Sequence, residues 1–316
     1  MALETFEQFM RRCLHDQERG YYSRNIRSIG LRGDFTTAPQ LSDSPAKAIS
    51  AWAARAMREN KTYNIIEIGP GLGTLSLQVL KHLPFSLRFR AKLHLVESSP
   101  TLAAHQRQTI GTKANFHSDI CEALKSCSGN AIIFSNELVD AFPVRLFQRT
   151  ESNWKEIALD HSEGYTRETL VDPGQLPDSS IFELNFQTNQ RVEVHDSYHR
   201  WMKSWIASWK RGEILTIDYG NAAKNLYHRR PSGSLRAYLL HQRLEGEAIY
   251  QNPGLQDITA DVNFTDLQVW SDPWLSPGKI ETLSDMILPF CSEPEEKLLE
   301  ACSYFMCLKQ TRLHDD

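Results

Sequence analysis

The sequence predicts a mixed α/β fold, a mostly parallel sheet with helices on both faces. Candidate strands at 64–69, 92–97, 115–118 and 131–136 alternate with candidate helical segments at 74–82, 100–109, 120–125 and 137–142. The first run ends in Glu67-Ile-Gly-Pro-Gly-Leu-Gly-Thr74, a tight glycine turn between strand and helix. Gly69, Glu97, Asp119 and Asn136 end these runs or directly follow them, and a parallel sheet would gather them along the carboxyl edge where such folds bind ligands.

Each element follows from its own pattern. Leu3, Phe6, Phe9, Met10, Cys13 and Leu14 recur at helical spacing and predict a first helix over 3–14. The stretch 20–39 is polar, glycine-punctuated and irregular. A second helix is expected over 44–58, turning Ile49, Trp52, Ala53 and Ala56 inward. After the alternating region, 145–189 breaks into short runs that read as inserted antiparallel strands. Trp201, Trp205 and Trp209 step along one face of a helix over 199–209, an aromatic stripe that reads as core. Residues 213–218 read as a returning central strand, and the C-terminal helix and strand complete the sheet. The expected organisation is an N-terminal helical cover (1–60), a core (61–144 and 210–316), and an insertion (145–209) suited to substrate or partner recognition.

Composition narrows the class. Of 316 residues 41% are apolar and 23% charged, ordinary for a globular protein large enough for two domains or one with insertions. A net charge of -4 provides no general drive toward nucleic acid or an anionic membrane. Arg11, Arg12, Arg19, Arg24, Arg27 and Arg32 cluster near the N-terminus, as a solvated face or a partner surface. No apolar run reaches the ~20 residues of a membrane span. Glu4, Glu7 and Asp16 argue against a signal peptide or presequence, so the expected location is cytoplasmic, or the mitochondrial matrix for a eukaryotic form without its presequence. Six scattered cysteines without a C-x-x-C pair suit reduced thiols, and no histidine–cysteine spacing suggests a metal site.

The glycine turn selects the ligand. A dinucleotide-binding G-x-G-x-x-G turn starting at Gly69 needs glycine at position 74, which is threonine; the third glycine is Gly73. Glu67 stands just before the turn, where its carboxylate would repel a pyrophosphate. S-adenosylmethionine has no phosphate and offers an ammonium, a sulfonium and a ribose. Glu67, Gly69, Gly71, Gly73 and the later Glu97 therefore favour this cofactor, with Glu97 placed to accept from the ribose hydroxyls.

Two further groups carry candidate chemistry. Asn136, Glu137 and Asp140 follow an apolar strand onto the same edge. On a helical turn the two carboxylates share one side, either as a helix cap or to hold a cationic acceptor such as a guanidinium beside a methyl donor. Arg236, His241 and Asp257 form either a network beneath a loop or a second wall of the acceptor site.

Taken with Gly20-Tyr-Tyr-Ser23, Gly33-Asp-Phe-Thr-Thr-Ala-Pro39, Asn136-Glu-Leu-Val-Asp-Ala-Phe-Pro143, Asp218-Tyr-Gly220, Leu235-Arg-Ala-Tyr238 with His241, and Gln256-Asp-Ile-Thr259, the turn resembles the MidA family. The resemblance runs from Phe6 to Phe264. It implies a Rossmann-like class I methyltransferase fold with a seven-stranded mixed sheet. It also implies S-adenosylmethionine-dependent methylation of a protein arginine, which mitochondrial members perform on a core subunit of respiratory complex I during assembly. By this likeness Asp119 lies near the adenine, and Thr36, Thr37 and Pro39 close over the cofactor; Asn136, Glu137 and Asp140 are then expected to hold the acceptor, with Glu137 or Asp140 taking the released proton. The chain departs from the family at Ala38-Pro39-Gln40, where Ser-Pro-Glu is usual, and at Leu41-Ser-Asp-Ser-Pro45, which lacks the usual Ser-Gln helix start. A non-catalytic cofactor-binding assembly factor and a small-molecule methyltransferase are the alternatives.

Overall fold

A computed structural model describes residues 3–24, 42–162, 165–291 and 296–313, which divide into two units. Within the described residues one unit gathers 42–138, 203–219 and 271–313, and the other 3–24, 139–202 and 220–270.

The first of these units holds a seven-stranded mixed sheet. Its strands in chain order are Asn64–Ile68, Lys92–Val96, Ala114–His117, Ile132–Asn136, Glu213–Asn221 (as far as Tyr219 in this unit), Lys279–Thr282 and Phe305–Thr311. Across the sheet they run third, second, first, fourth, fifth, seventh, sixth. All neighbours are parallel except the seventh strand, which is antiparallel to both the fifth and the sixth. The strand order reverses between the first and fourth strands, the place where open α/β sheets bind ligands. Ile68 pairs with Val96 on one side and Ser135 on the other, and Asn136 pairs with Ile217. The edge residues are thereby brought level.

These strands read as nearly unbroken apolar runs because both faces are covered. Ile65, Leu93, Leu95, Ile132, Phe134, Leu215 and Ile217 share one core with Ile49, Trp52, Ala53 and Ala56 of the helix Ser44–Glu59. At the amino ends of the strands, the Trp52 indole donates to buried Glu213 at 3.1 Å and Arg55 pairs with the same carboxylate at 2.6 Å. Trp205 and Trp209 are buried, and the Trp209 indole donates to the Ala131 carbonyl at 3.0 Å.

The second unit is dominated by antiparallel strands. Glu4–Thr5, Trp154–Asp160, Arg145–Arg149 and Arg191–Val194 pair in that order, and Arg167–Val171 joins Trp154–Asp160. A three-stranded sheet of Arg236–Leu239, Gln242–Leu244 and Asp257–Thr259 belongs to the same unit. The helix Phe6–His15 packs Phe6, Phe9, Met10, Cys13 and Leu14 against Leu146, Ile157 and Ile258. The core span expected at 210–316 contributes 220–270 to this unit.

Three expected elements differ. The segment 137–142 is a series of bends and turns, not a helix. Glu137 adopts a left-handed φ of 53° and its N–H donates to the Ile217 carbonyl, extending the sheet's bonding. The argument that places Glu137 and Asp140 on one side of a helical turn therefore fails. The first helix starts at Phe6, because Glu4–Thr5 pair as a strand and Thr5 closes a capping box with Gln8. The tryptophan-bearing helix runs Asp196–Trp205 and tightens into a 3-10 turn over Ile206–Ser208.

Phe134 is fully buried at the centre of the first unit's core. Phe134→Ala should destabilise that unit by about 3–5 kcal/mol, read as a lower midpoint in chemical denaturation.

Candidate functional site

The first strand delivers Glu67 and Ile68 into a turn that only glycine forms without strain. Gly69, Gly71 and Gly73 have φ of 66°, 54° and 75°. A Cβ on Gly69 would stand 2.8 Å from Leu138 Cδ1, and one on Gly73 would overlap Ile110 Cδ1, so either neighbour would also have to move. The Gly69 N–H donates to the Val96 carbonyl at 3.0 Å, which ties the turn to the second strand. Gly73 then caps the helix Thr74–His82.

Two carboxyl groups face this turn. Glu67 is buried and accepts from the Ser76 hydroxyl; burial, reinforced by the negative charge of Glu97, pushes its pKa up to about 7. Glu97 follows the second strand. Its Oε1 accepts from the Ser99 N–H at 2.8 Å, and burial raises it to about 7 as well. Gln106, fully buried on the helix Pro100–Ile110, donates to the Gly71 carbonyl at 2.7 Å and to Glu97 Oε2 at 3.4 Å. One amide thus holds the glycine turn and the second carboxylate in fixed relation. Two acids raised by burial favour a ligand that brings positive charge or hydroxyl donors, because such a ligand stabilises their ionised forms.

At the end of the fourth strand, the Asn136 amide donates to Glu137 Oε1 at 3.0 Å while Asn136 Oδ1 is buried without a hydrogen-bond partner among the described residues. Gln106 Oε1 is in the same condition. Buried orphan acceptors are uncommon in folded proteins and fit a site completed by a polar ligand. The left-handed Glu137 is held from behind: the Leu138 N–H donates to buried Asp218 Oδ2 at 3.1 Å. Asp119 follows the third strand and is exposed; its side chain accepts from the Glu122 N–H at 3.0 Å, capping the helix Ile120–Ser126.

In the other unit, Asp140 and Asp257 are buried. The Tyr22 hydroxyl donates to Asp257 at 2.8 Å, and burial together with the charges of Asp257 and Asp140 holds that phenol well above its ordinary pKa. Arg236 is buried, pairs with Asp261, and is held fully charged by Asp261 and Asp140 despite its burial. Arg236 and Asp257 lie on adjacent strands, with Tyr238 opposite Asp257. His241 is separate. Leu240 and His241, with φ of 48° and 65°, form an exposed hairpin turn between the strands Arg236–Leu239 and Gln242–Leu244. Thr36, Thr37 and Pro39 lie outside the described residues. Among the described residues, no group of three or more His, Cys, Asp or Glu could hold a metal ion.

Sequence reasoning overlooked Gln106, Ser76 and Asp218 as parts of the site. Gln106 had a signal: it occupies the buried face of its helix with Leu102, Ala103 and Ile110, where a polar residue needs a partner. Asp218 stood in the Asp218-Tyr-Gly220 motif without a role attached, and Ser76 offered no signal, since its partner Glu67 is set by how the helix Thr74–His82 packs beneath the turn.

Residues 48–273 match the family described as "Putative S-adenosyl-L-methionine-dependent methyltransferase". The protein arginine methyltransferase NDUFAF7, mitochondrial, of Danio rerio is 28% identical over 293 residues, covering 83% of this chain and 67% of the relative. The Drosophila melanogaster homologue is 27% identical, covering 81% and 64%. The chain thus spans about two thirds of the length of these relatives. A crystal structure from Burkholderia thailandensis bound to S-adenosyl-homocysteine superposes with a TM-score of 0.82 at 22% identity, covering 99% of this chain and 89% of that one.

Both raised carboxyls carry a pH signature. A buried acid whose folded pKa exceeds its unfolded value contributes stability below about 4.5 that is lost as the pH rises through about 7. Glu67→Gln cannot ionise, so the fall in melting temperature of the cofactor-free protein between pH 5 and pH 8 should be several degrees smaller than in the parent chain. Gln106→Ala should weaken S-adenosylmethionine binding about tenfold by calorimetry, the loss of roughly one charge-assisted hydrogen bond.

Proposed function

The chain belongs to this family of S-adenosylmethionine-dependent methyltransferases, and on that premise we propose that it methylates an arginine side chain of a protein partner. S-adenosylmethionine supplies an already activated methyl group, so the protein's task is alignment in a dry site more than acid–base power. Glu67 and the Gly69–Gly71–Gly73 turn hold the methionine end by charge and bare backbone, and Glu97 receives the ribose hydroxyls. Asp119 is assigned to the adenine side, and Thr36, Thr37 and Pro39, outside the described residues, are assigned to the cofactor on the family resemblance alone.

Asn136 and Glu137 receive the guanidinium, and Glu137 takes the proton the methylated nitrogen releases. Asp140, Arg236, His241 and Asp257 are assigned to acceptor binding on the sequence pattern. The observation that carries this reading is the pairing of an unsatisfied Asn136 Oδ1 with a strained Glu137 at the fourth strand's end. A buried acceptor and a carboxylate side by side suit a planar cation with several N–H donors better than an apolar or anionic acceptor. The curated relatives are named as mitochondrial protein arginine methyltransferases, which supports a mitochondrial location where the chain's source has that compartment; an acceptor of the respiratory complex I type rests on the family resemblance alone.

The purified chain is expected to bind S-adenosylmethionine and to pass a labelled methyl to a protein in extract, with methylarginine recovered by mass spectrometry. Gly71→Asp abolishes binding. Glu137→Ala cuts methyl transfer about 100-fold or more while cofactor affinity stays within several-fold. Binding without any transferable label points instead to a cofactor-bound assembly factor, and label appearing only in small molecules rules out the protein acceptor.

A further inference from the structure

The whole-chain charge of -4 conceals a basic, aromatic surface at the amino ends of the parallel strands. Between residues 81 and 92 the chain carries Lys81, Arg88, Arg90 and Lys92 and neither aspartate nor glutamate. Within that stretch the short helix Phe85–Arg88 and its cap leave Phe85 73% and Phe89 86% exposed, with their ring centroids 6.4 Å apart. Leu87, between them, is buried in the core and pins the turn in place. The two phenylalanines are therefore held outward by a fixed scaffold.

An open cleft of about 660 Å³ adjoins this stretch. Lys61, Arg90, Lys92 and Arg211 line it and, among the described residues, no carboxylate does, while the Arg90 guanidinium lies 3.6 Å from the centre of the Tyr63 ring. Asn64 and Lys92, which open the first and second strands, also line it. The cleft thus sits at the opposite end of the strands from Gly69, Glu97 and Asn136.

We infer that residues 81–92 and the adjoining basic cleft dock this protein on membranes bearing anionic phospholipids. Exposed phenylalanines flanked by lysine and arginine match the interfacial region of a bilayer: rings enter the headgroup–acyl boundary while cations remain at the phosphates. A nucleic-acid platform fits less well, because the two rings are tilted 38° to each other and neither lines the cationic cleft. Docking by this end leaves the strands' carboxyl edge, with its cofactor residues, directed away from the lipid. The assignment does not depend on the identity of the methyl acceptor.

Flotation of the full chain with phosphatidylcholine vesicles, with and without phosphatidylglycerol, tests it. Binding is expected only to the anionic vesicles, with release at roughly 0.5 M salt. Neutralising Arg88 or Arg90 should lower partitioning about fivefold each. The double variant Phe85→Ser/Phe89→Ser should abolish stable binding. Both rings are exposed, so S-adenosylmethionine affinity and melting temperature should not change, which separates lost docking from lost folding. Absence of binding to anionic vesicles overturns the proposal, as does binding that survives the phenylalanine changes. Displacement by millimolar glycerol phosphate would identify a soluble-phosphate site, and retention by an oligonucleotide with the same phenylalanine dependence a nucleic-acid surface; either also overturns it.

Discussion

In-register pairing of the first strand with its neighbours governs the position of every chemical group at the carboxyl edge. Ile68 lies level with Val96 and Ser135, and Asn136 with Ile217. A shift of one residue would turn Glu67 or Asn136 to the opposite face and break the Gly69–Val96 hydrogen bond, so register and chemistry are one constraint. Close packing on both faces of the central strands secures that register, since a slip mismatches interlocked side chains and draws the polar edge residues into the core.

The edge also concentrates unfavourable local features. Two buried carboxyls are raised to about 7, two acceptors lack partners among the described residues, and a non-glycine residue is left-handed. Each of these opposes folding, the backbone strain at Glu137 alone by about 1–3 kcal/mol. Their convergence at the topological switch point is what a preorganised site looks like before its ligand completes it. Gln106 and Asp218 make this possible. One amide couples the glycine turn to Glu97, and one buried carboxylate stabilises the backbone just after Glu137.

The opposite end of the strands obeys another logic. There the charged groups lining the cleft are, among the described residues, all cations, and Phe85 and Phe89 face solvent. A chain of modest negative charge can therefore present one edge suited to a cationic ligand and another suited to anionic lipid. Net charge averages the two away, which is why composition predicted neither.

Much of the parallel core was legible from local pattern. The helix Thr74–His82 and the strands near 64, 92, 114 and 132 follow directly from apolar runs punctuated by glycine and polar residues. The glycine spacing with Glu67 and Glu97 pointed to S-adenosylmethionine because that inference needs only covalent order and the charge of the ligand. The segment after Asn136 was misread for the complementary reason. Its helical spacing is real, but the Glu137 N–H and Leu138 N–H are claimed by Ile217 and Asp218, some eighty residues away, and no local pattern announces such partners. The placing of His241 in an exposed two-residue hairpin turn shows the same limit, since no local pattern marks that position. By itself the sequence determined the strand–helix alternation, the glycine turn and the class of cofactor, all set by short-range periodicity and residue chemistry. Only the tertiary structure decided which side chains couple across strands, which acceptors stay unsatisfied, and which apolar rings remain exposed, because those depend on contacts between residues far apart in the chain.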